Sequence, residues 1–136
     1  MGVVVFDTDV LIGFLNRDDP HHEAAVEHVR RSMKPGNRRM LCAVNYAEIM
    51  VGPVKEGTEA KELVSQMLVQ FSIETIPVDA TLADRAAAVR ARTGLRLPDA
   101  FALATVIHAE QRGYEGVELA SFDRDVLRAH GDVHPT

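Results

Sequence analysis

Val3-Val4-Val5-Phe6-Asp7-Thr8-Asp9 stands at the head of the chain and sets the reading of the rest. Four consecutive apolar residues, three of them β-branched, describe a strand buried on both faces, as in a parallel sheet. The run ends on a carboxylate, Asp7. A helical pattern follows over 8–15, with Thr8 or Asp9 available as its N-cap. Strand, acid, helix is the opening half of a βα unit.

The same alternation continues. Residues 16–20 form a turn and 21–31 an amphipathic helix. A break at 35–37 precedes a second strand over 39–43, and a short helix follows through Val51. Residues 52–57 read as a loop, 59–70 as a helix and 72–78 as a third strand. An Ala-rich helix over 80–93 is closed by Gly94, a C-cap residue. Pro98 and Asp99 open the helix 100–112. A fourth strand covers 117–121, and a last short helix 125–130. This alternation predicts a parallel α/β sheet, whose ligands bind beyond the carboxyl ends of the strands.

Composition narrows the class. The 136 residues fit one domain, and 46% hydrophobic with 26% charged residues is an ordinary globular balance. Cys42 is the single cysteine, which excludes an internal disulfide and a cysteine-based zinc site. MGVVVFD lacks the basic start and long apolar stretch of a signal peptide, and no apolar run approaches a membrane span. A reducing, cytoplasmic setting is the expectation. Net charge is −5, against broad coating of nucleic acid. The cations are skewed, however, to twelve Arg against three Lys. Arg85, Arg90, Arg92 and Arg96 crowd before Asp99, and Arg124 and Arg128 lie close to Asp123. They form either a solvated helix surface or a rim for phosphate.

Four acids recur at corresponding places: Asp7 in VVVFD, Glu48 in NYAEIM, Asp99 in LPDAFALA and Asp123 in ELASFDRD. Singly, Asp7, Asp99 and Asp123 have a plain explanation as helix-initiating residues. Glu48 lies on an otherwise apolar helix, in a polar stripe with Asn45 and Gly52 that faces either solvent or a cleft. Brought together, the four would make an all-oxygen pocket suited to Mg²⁺ or Mn²⁺, ionised only around cations. Asp9, Ser121 and Asp125 stand beside it as auxiliaries. The histidines fit no zinc-protease spacing, and no phosphate loop or GxSxG elbow occurs.

Taken in order, VFDTDVLI, NYAEIMVG, LRLPDAFALATVIHAE and LASFDRD resemble the PIN-domain ribonucleases, specifically VapC-type toxins of bacterial toxin–antitoxin pairs. The resemblance covers residues 3 to about 130. It implies a single PIN-like (flavodoxin-like) α/β/α sandwich across 1–136, with a central, mostly parallel sheet of four to five strands. It further implies RNA cleavage with Mg²⁺ or Mn²⁺, a homodimer and a VapB-type antitoxin. By position, the metal-holding and catalytic acids would be Asp7, Glu48, Asp99 and Asp123. Asp9 departs from the Ser or Asn common in the family, Ser121 from Thr, and Phe122 from small or polar residues.

Two rivals remain on the residues alone. DTD after an apolar strand suits a haloacid-dehalogenase-like phosphohydrolase with Asp7 as nucleophile. That chemistry also wants a placed lysine, and Lys34, Lys55 and Lys61 follow no strand. The other rival is a non-catalytic α/β module whose acids are caps. For a protein partner, Tyr46, Ile49 and Met50, with Leu63, Met67 and Leu68 on the next helix, offer an apolar docking face.

Overall fold

The computed structural model describes residues 2–133, with only the backbone of Val133. Four strands, β1 (Val3–Phe6), β2 (Arg38–Cys42), β3 (Ile73–Ile76) and β4 (Val117–Ala120), form a sheet in the order β3-β2-β1-β4. Every pairing is parallel; Val5 lies opposite Met40 on one side and Leu119 on the other. The number is thus four, at the lower end of the expected four to five.

The central strand shows why its sequence is uniformly apolar. Val3, Val5 and Phe6 are wholly buried and Val4 nearly so. Val3 and Val5 face one layer, with Leu103, Val106, Leu82 and Val126. Val4 and Phe6 face the opposite layer, with Leu11, Val29, Ile49 and Met67. The first layer comprises α5 (Ala80–Thr93), α6 (Leu97–Gln111) and α7 (Arg124–Val133); the second comprises α1 (Thr8–Leu15), α2 (His22–Ser32), α3 (Ala43–Glu56) and α4 (Thr58–Gln70). Strand alternation splits the VVVF run between two cores, so neither face of β1 tolerates a polar side chain.

Sheet order positions the site. From β1 the chain steps outward to β2 and β3, then returns across to β4 on the other side of β1. The carboxyl ends of β1 and β4 therefore flank a topological switch point, where helices diverge and leave a crevice. Asp7 and Ser121 are the first residues past those two ends.

Helix α3 differs from its expectation. The Gly52–Gly57 stretch, read as a loop, is mostly helix: α3 continues to Glu56 with Pro53 inside it. Pro53 removes one backbone donor, and the helix carries on past it. Gly57, at φ 123°, then turns the chain directly into α4. In this frame Ile49 is 2% and Met67 4% exposed. The docking face drawn through them is therefore incorrect at both positions, because each points at the sheet. Leu63, 60% exposed, is the member of that set that meets solvent fully.

This distinction is measurable. Ile49→Asp or Met67→Asp places an unpaired carboxylate in the core and should lower stability by about 3 kcal/mol or more. Leu63→Asp should change it by about 0.5 kcal/mol at most. Circular dichroism melts of the three variants check both.

Candidate functional site

Asp7 closes β1 and caps α1, accepting the Thr8 backbone N–H at 2.8 Å. It is 2% exposed. Its second oxygen accepts from the Ser121 hydroxyl at 2.8 Å, so the residue past β4 anchors the residue past β1. Ser121 Oγ also accepts the Asp123 N–H at 3.0 Å, which holds the loop after β4 beside Asp7. Asp123 Oδ1 in turn accepts the N–H groups of Asp125 and Val126. Asp123 is thus a helix cap and a pocket residue together.

Asp99 enters from the first turn of α6 and is buried. Arg96 approaches it at 3.5 Å. Glu48 enters from α3 and accepts the Thr8 hydroxyl at 2.6 Å. Asp9, on α1, accepts the Phe122 N–H at 3.0 Å through one oxygen; its other oxygen is buried without a hydrogen-bond partner among the described residues. Asp7, Asp9, Glu48, Asp99 and Asp123 line one small cavity of about 180 Å³, with Thr8, Ile12 and Arg96.

Gathering five carboxylates there has an electrostatic consequence. Burial, then the charge of Asp9, pushes Asp7 up from 3.8 to about 7, despite the Ser121 and Thr8 donors. Burial likewise raises Asp9, with Asp123 and Asp99 adding to it. Burial raises Asp99 too, opposed by Arg96 and reinforced by Asp123 and Glu48. Such a set gains from any group that neutralises it. Among the described residues no three His, Cys, Asp or Glu side chains are drawn together tightly enough to enclose an ion already; hydroxyls, backbone N–H groups and Arg96 hold the carboxylates instead. The all-oxygen donors and the orphaned Asp9 oxygen fit a hard divalent cation.

Asn45 is the residue whose position the sequence pattern did not resolve. It lies on the same stripe as Glu48, yet it is wholly buried. Its amide donates to the Thr8 hydroxyl and to the Pro98 carbonyl, both at 3.1 Å. One side chain thereby ties α3, which carries Glu48, to the segments that carry Asp7 and Asp99. The signal available in sequence was the i, i+3 spacing of Asn45 and Glu48.

Around the acidic cavity lie two extensions. Arg92, Arg96 and Arg128 line a cleft of about 440 Å³ that shares Asp99 and Asp123 with it. Of the two arginines beside Asp123, Arg124 is exposed and not among the residues lining either cavity, whereas Arg128, one helical turn further on, lines the cleft. Asp125 lines this cleft rather than the acidic cavity and pairs with Arg128 at 3.6 Å. On the other side, Ile12, Leu15, Ile49 and Pro53 line a partly apolar groove that shares Glu48.

The sequence matches the PIN domain family over residues 4–132, and the chain belongs to that family. No curated protein sequence matches it. Among solved structures it is similar to VapC20 of Mycobacterium tuberculosis, a sarcin–ricin-loop-cleaving toxin, at 20% identity over 95% of both chains with a TM-score of 0.69. It is similar to a toxin–antitoxin complex from Klebsiella pneumoniae at 27% identity, covering 92% of this chain and 89% of that one, with a TM-score of 0.59. VapBC2 from Rickettsia felis, bound to a DNA fragment from its promoter, aligns at 17% identity over 90% and 100% of the two chains, with a TM-score of 0.54. The expected α/β PIN fold is thus found in both the family match and the neighbours.

Two outcomes test this description. Asp7 binds its proton more tightly in the folded chain than its ordinary value of 3.8 allows. Between 3.8 and about 7 the folded state therefore holds the extra proton, and stability falls as pH rises through that window. Cation-free protein should melt at progressively lower temperature across it, and Asp7→Asn should flatten most of that slope. Separately, Asn45→Ala strands the Pro98 carbonyl without its donor and should cost about 1–3 kcal/mol in a denaturant titration.

Proposed function

We propose that this chain is a divalent-metal-dependent endoribonuclease and acts as the toxin of a type II toxin–antitoxin pair. The observation that carries the reading is the convergence of five carboxylates at the switch point of a PIN-family sheet. VapC20, which shares the fold, is a toxin that cleaves the sarcin–ricin loop. Asp7 and Asp99 are assigned as central ligands of Mg²⁺ or Mn²⁺, with Glu48 and Asp123 completing the set. Asp9 adds a fifth carboxylate through its unpartnered oxygen.

The bound cation supplies a lowered water pKa and charge stabilisation at the scissile phosphate. The chain's own residues do the rest. Ser121 and the Thr8 N–H hold Asp7 in one rotamer, and the Thr8 hydroxyl, fixed by Asn45, aims Glu48. A carboxylate so placed can accept a proton from the attacking water. Arg96, on the wall shared with the arginine cleft, is set to hold a phosphate oxygen and balance the acids.

The groove beside Glu48 suits an antitoxin segment that presents apolar side chains to Ile12 and Leu15 and a cation to Glu48 and Glu56. Exposed Val51, Val54 and Leu63 on α3 and α4 offer a face for a homodimer. Among the described residues no helix is long and apolar enough to cross a membrane, and a cytoplasmic setting supplies both RNA and Mg²⁺. The phosphohydrolase rival gains no support, since no lysine lines the acidic cavity.

Purified protein should cleave RNA in Mg²⁺ or Mn²⁺ and stop in excess chelator. Asp7→Asn and Asp99→Asn should each reduce cleavage at least about 100-fold while leaving cation-free stability equal or higher. Cleavage undiminished in chelator, in a preparation free of other nucleases, removes the metal mechanism. Unfolding of either variant makes that acid structural.

A further inference from the structure

Next to the acidic cavity, the Phe122 ring is flanked by two imidazoles. His21 stacks on it at 4.8 Å and 21°, and His28 meets it edge-on at 5.4 Å and 64°. The backbone N–H of Phe122 is the group bonded to Asp9, so this ring cluster adjoins the acids directly. His28 also lines a cleft of about 510 Å³ between α2 and the edge strand β4. Arg30, Arg31 and Lys34 share that cleft with a single acid, Glu118. Its position is separate from the arginine cleft beside Asp99.

Basic residues at the end of α2 would complement the helix dipole wherever they pointed. Here they line a concavity. Arg30 is engaged by Glu27, whereas Lys34 forms no ion pair among the described residues. Burial, then the neighbouring Arg31 charge, pushes His28 below its usual value, which favours the neutral ring. A neutral Nδ1 can accept from the Arg31 guanidinium, 3.5 Å away.

We propose that the α2–β4 cleft is a second contact site for the RNA strand, entered from the acidic cavity across the Phe122–His21 stack. The inference rests on the ribonuclease reading. An enzyme with net charge −5 and five acids at its centre repels a polyanion unless cations lie along the approach. The exposed His21 imidazole, backed by Phe122, and the nearby cations match the two chemistries of single-stranded RNA, base stacking and phosphate pairing. Because α2 lies beside β4, the cleft leads toward the carboxyl edge where Phe122 sits. A strand held there would carry one flank of the scissile bond, while the arginine cleft carries the other.

The test compares a long RNA substrate with a short oligonucleotide that reaches only the acidic cavity. The variants are Arg31→Ala combined with Lys34→Ala, and His21→Ala alone. Lys55→Ala with Lys61→Ala removes the same charge elsewhere. For the α2 double variant and for His21→Ala, KM on long RNA should rise at least about fivefold with kcat unchanged. In the double variant the slope of log KM against log salt should flatten by about 0.7 for each phosphate that no longer meets a cation. Neither should alter cleavage of the short substrate, and the control pair should alter nothing. Unchanged KM and salt slope on long RNA overturn the proposal. So does an equal drop on both substrates, which marks a structural defect, or retained RNA kinetics with weakened binding of a protein partner. Failure of the unaltered protein to cut either RNA overturns the ribonuclease reading, and this inference falls with it.

Discussion

Everything at the carboxyl edge of this sheet is organised around one contact, the Ser121 hydroxyl on the buried carboxylate of Asp7. It joins the ends of two adjacent parallel strands that are 114 positions apart in sequence. Asp7 is buried because β1 is central and its neighbours cover it on both sides. A carboxylate in that position is expensive in water-poor surroundings and is retained only with donors on both oxygens. Thr8 N–H and Ser121 Oγ are those donors. With Asp7 fixed, the loop after β4 has one place to go, and Asp123 arrives beside it.

From that anchor the site is assembled by short polar links rather than by packing. Asn45 reaches Thr8, Thr8 reaches Glu48, and Asn45 also reaches Pro98, one residue before Asp99. Each link uses a neutral donor against an acceptor. Neutral donors orient a carboxylate without cancelling its charge, so the acids keep the negative potential a cation needs. An arginine in Asn45's position would have quenched it. Among the described residues Arg96 is the one cation in the cavity wall, and its side chain is three-quarters exposed, which leaves it free to turn toward substrate.

The sequence made the fold legible where local signals and the global pattern agreed. Helix α1 spans the expected 8–15, although its cap is Asp7 rather than Thr8 or Asp9, and α5 ends at Gly94 as its glycine C-cap signal indicates. Asp7, Asp99 and Asp123 could be picked out because each opens or follows an element at the same sheet edge, and Glu48 because it is polar on an otherwise apolar helix. Misreadings arose where a local rule met tertiary packing. Gly52 and Pro53 signal a break, yet α3 runs through them. Ile49 on α3 and Met67 on α4 each lie on the apolar face of a helix, and no periodicity says whether such a face meets a sheet or a partner. Arg124 and Arg128 share one helix, and only the turn of α7 decides which of them reaches the cleft.

Phe122 shows how a local departure acquires meaning from its surroundings. At a position between two site residues, a small side chain would leave the backbone N–H free to serve Asp9 all the same. The ring adds nothing to that hydrogen bond. What it adds is a surface covered from two sides by His21, just before α2, and His28, within α2. The loop after β4 is thereby attached to α2 by aromatic contact and to Asp7 by a hydroxyl. It is held at both ends. Ser121 alone links Asp7 to the Asp123 backbone, so the aromatic contact adds a surface beside the acids without entering the bonds that place them.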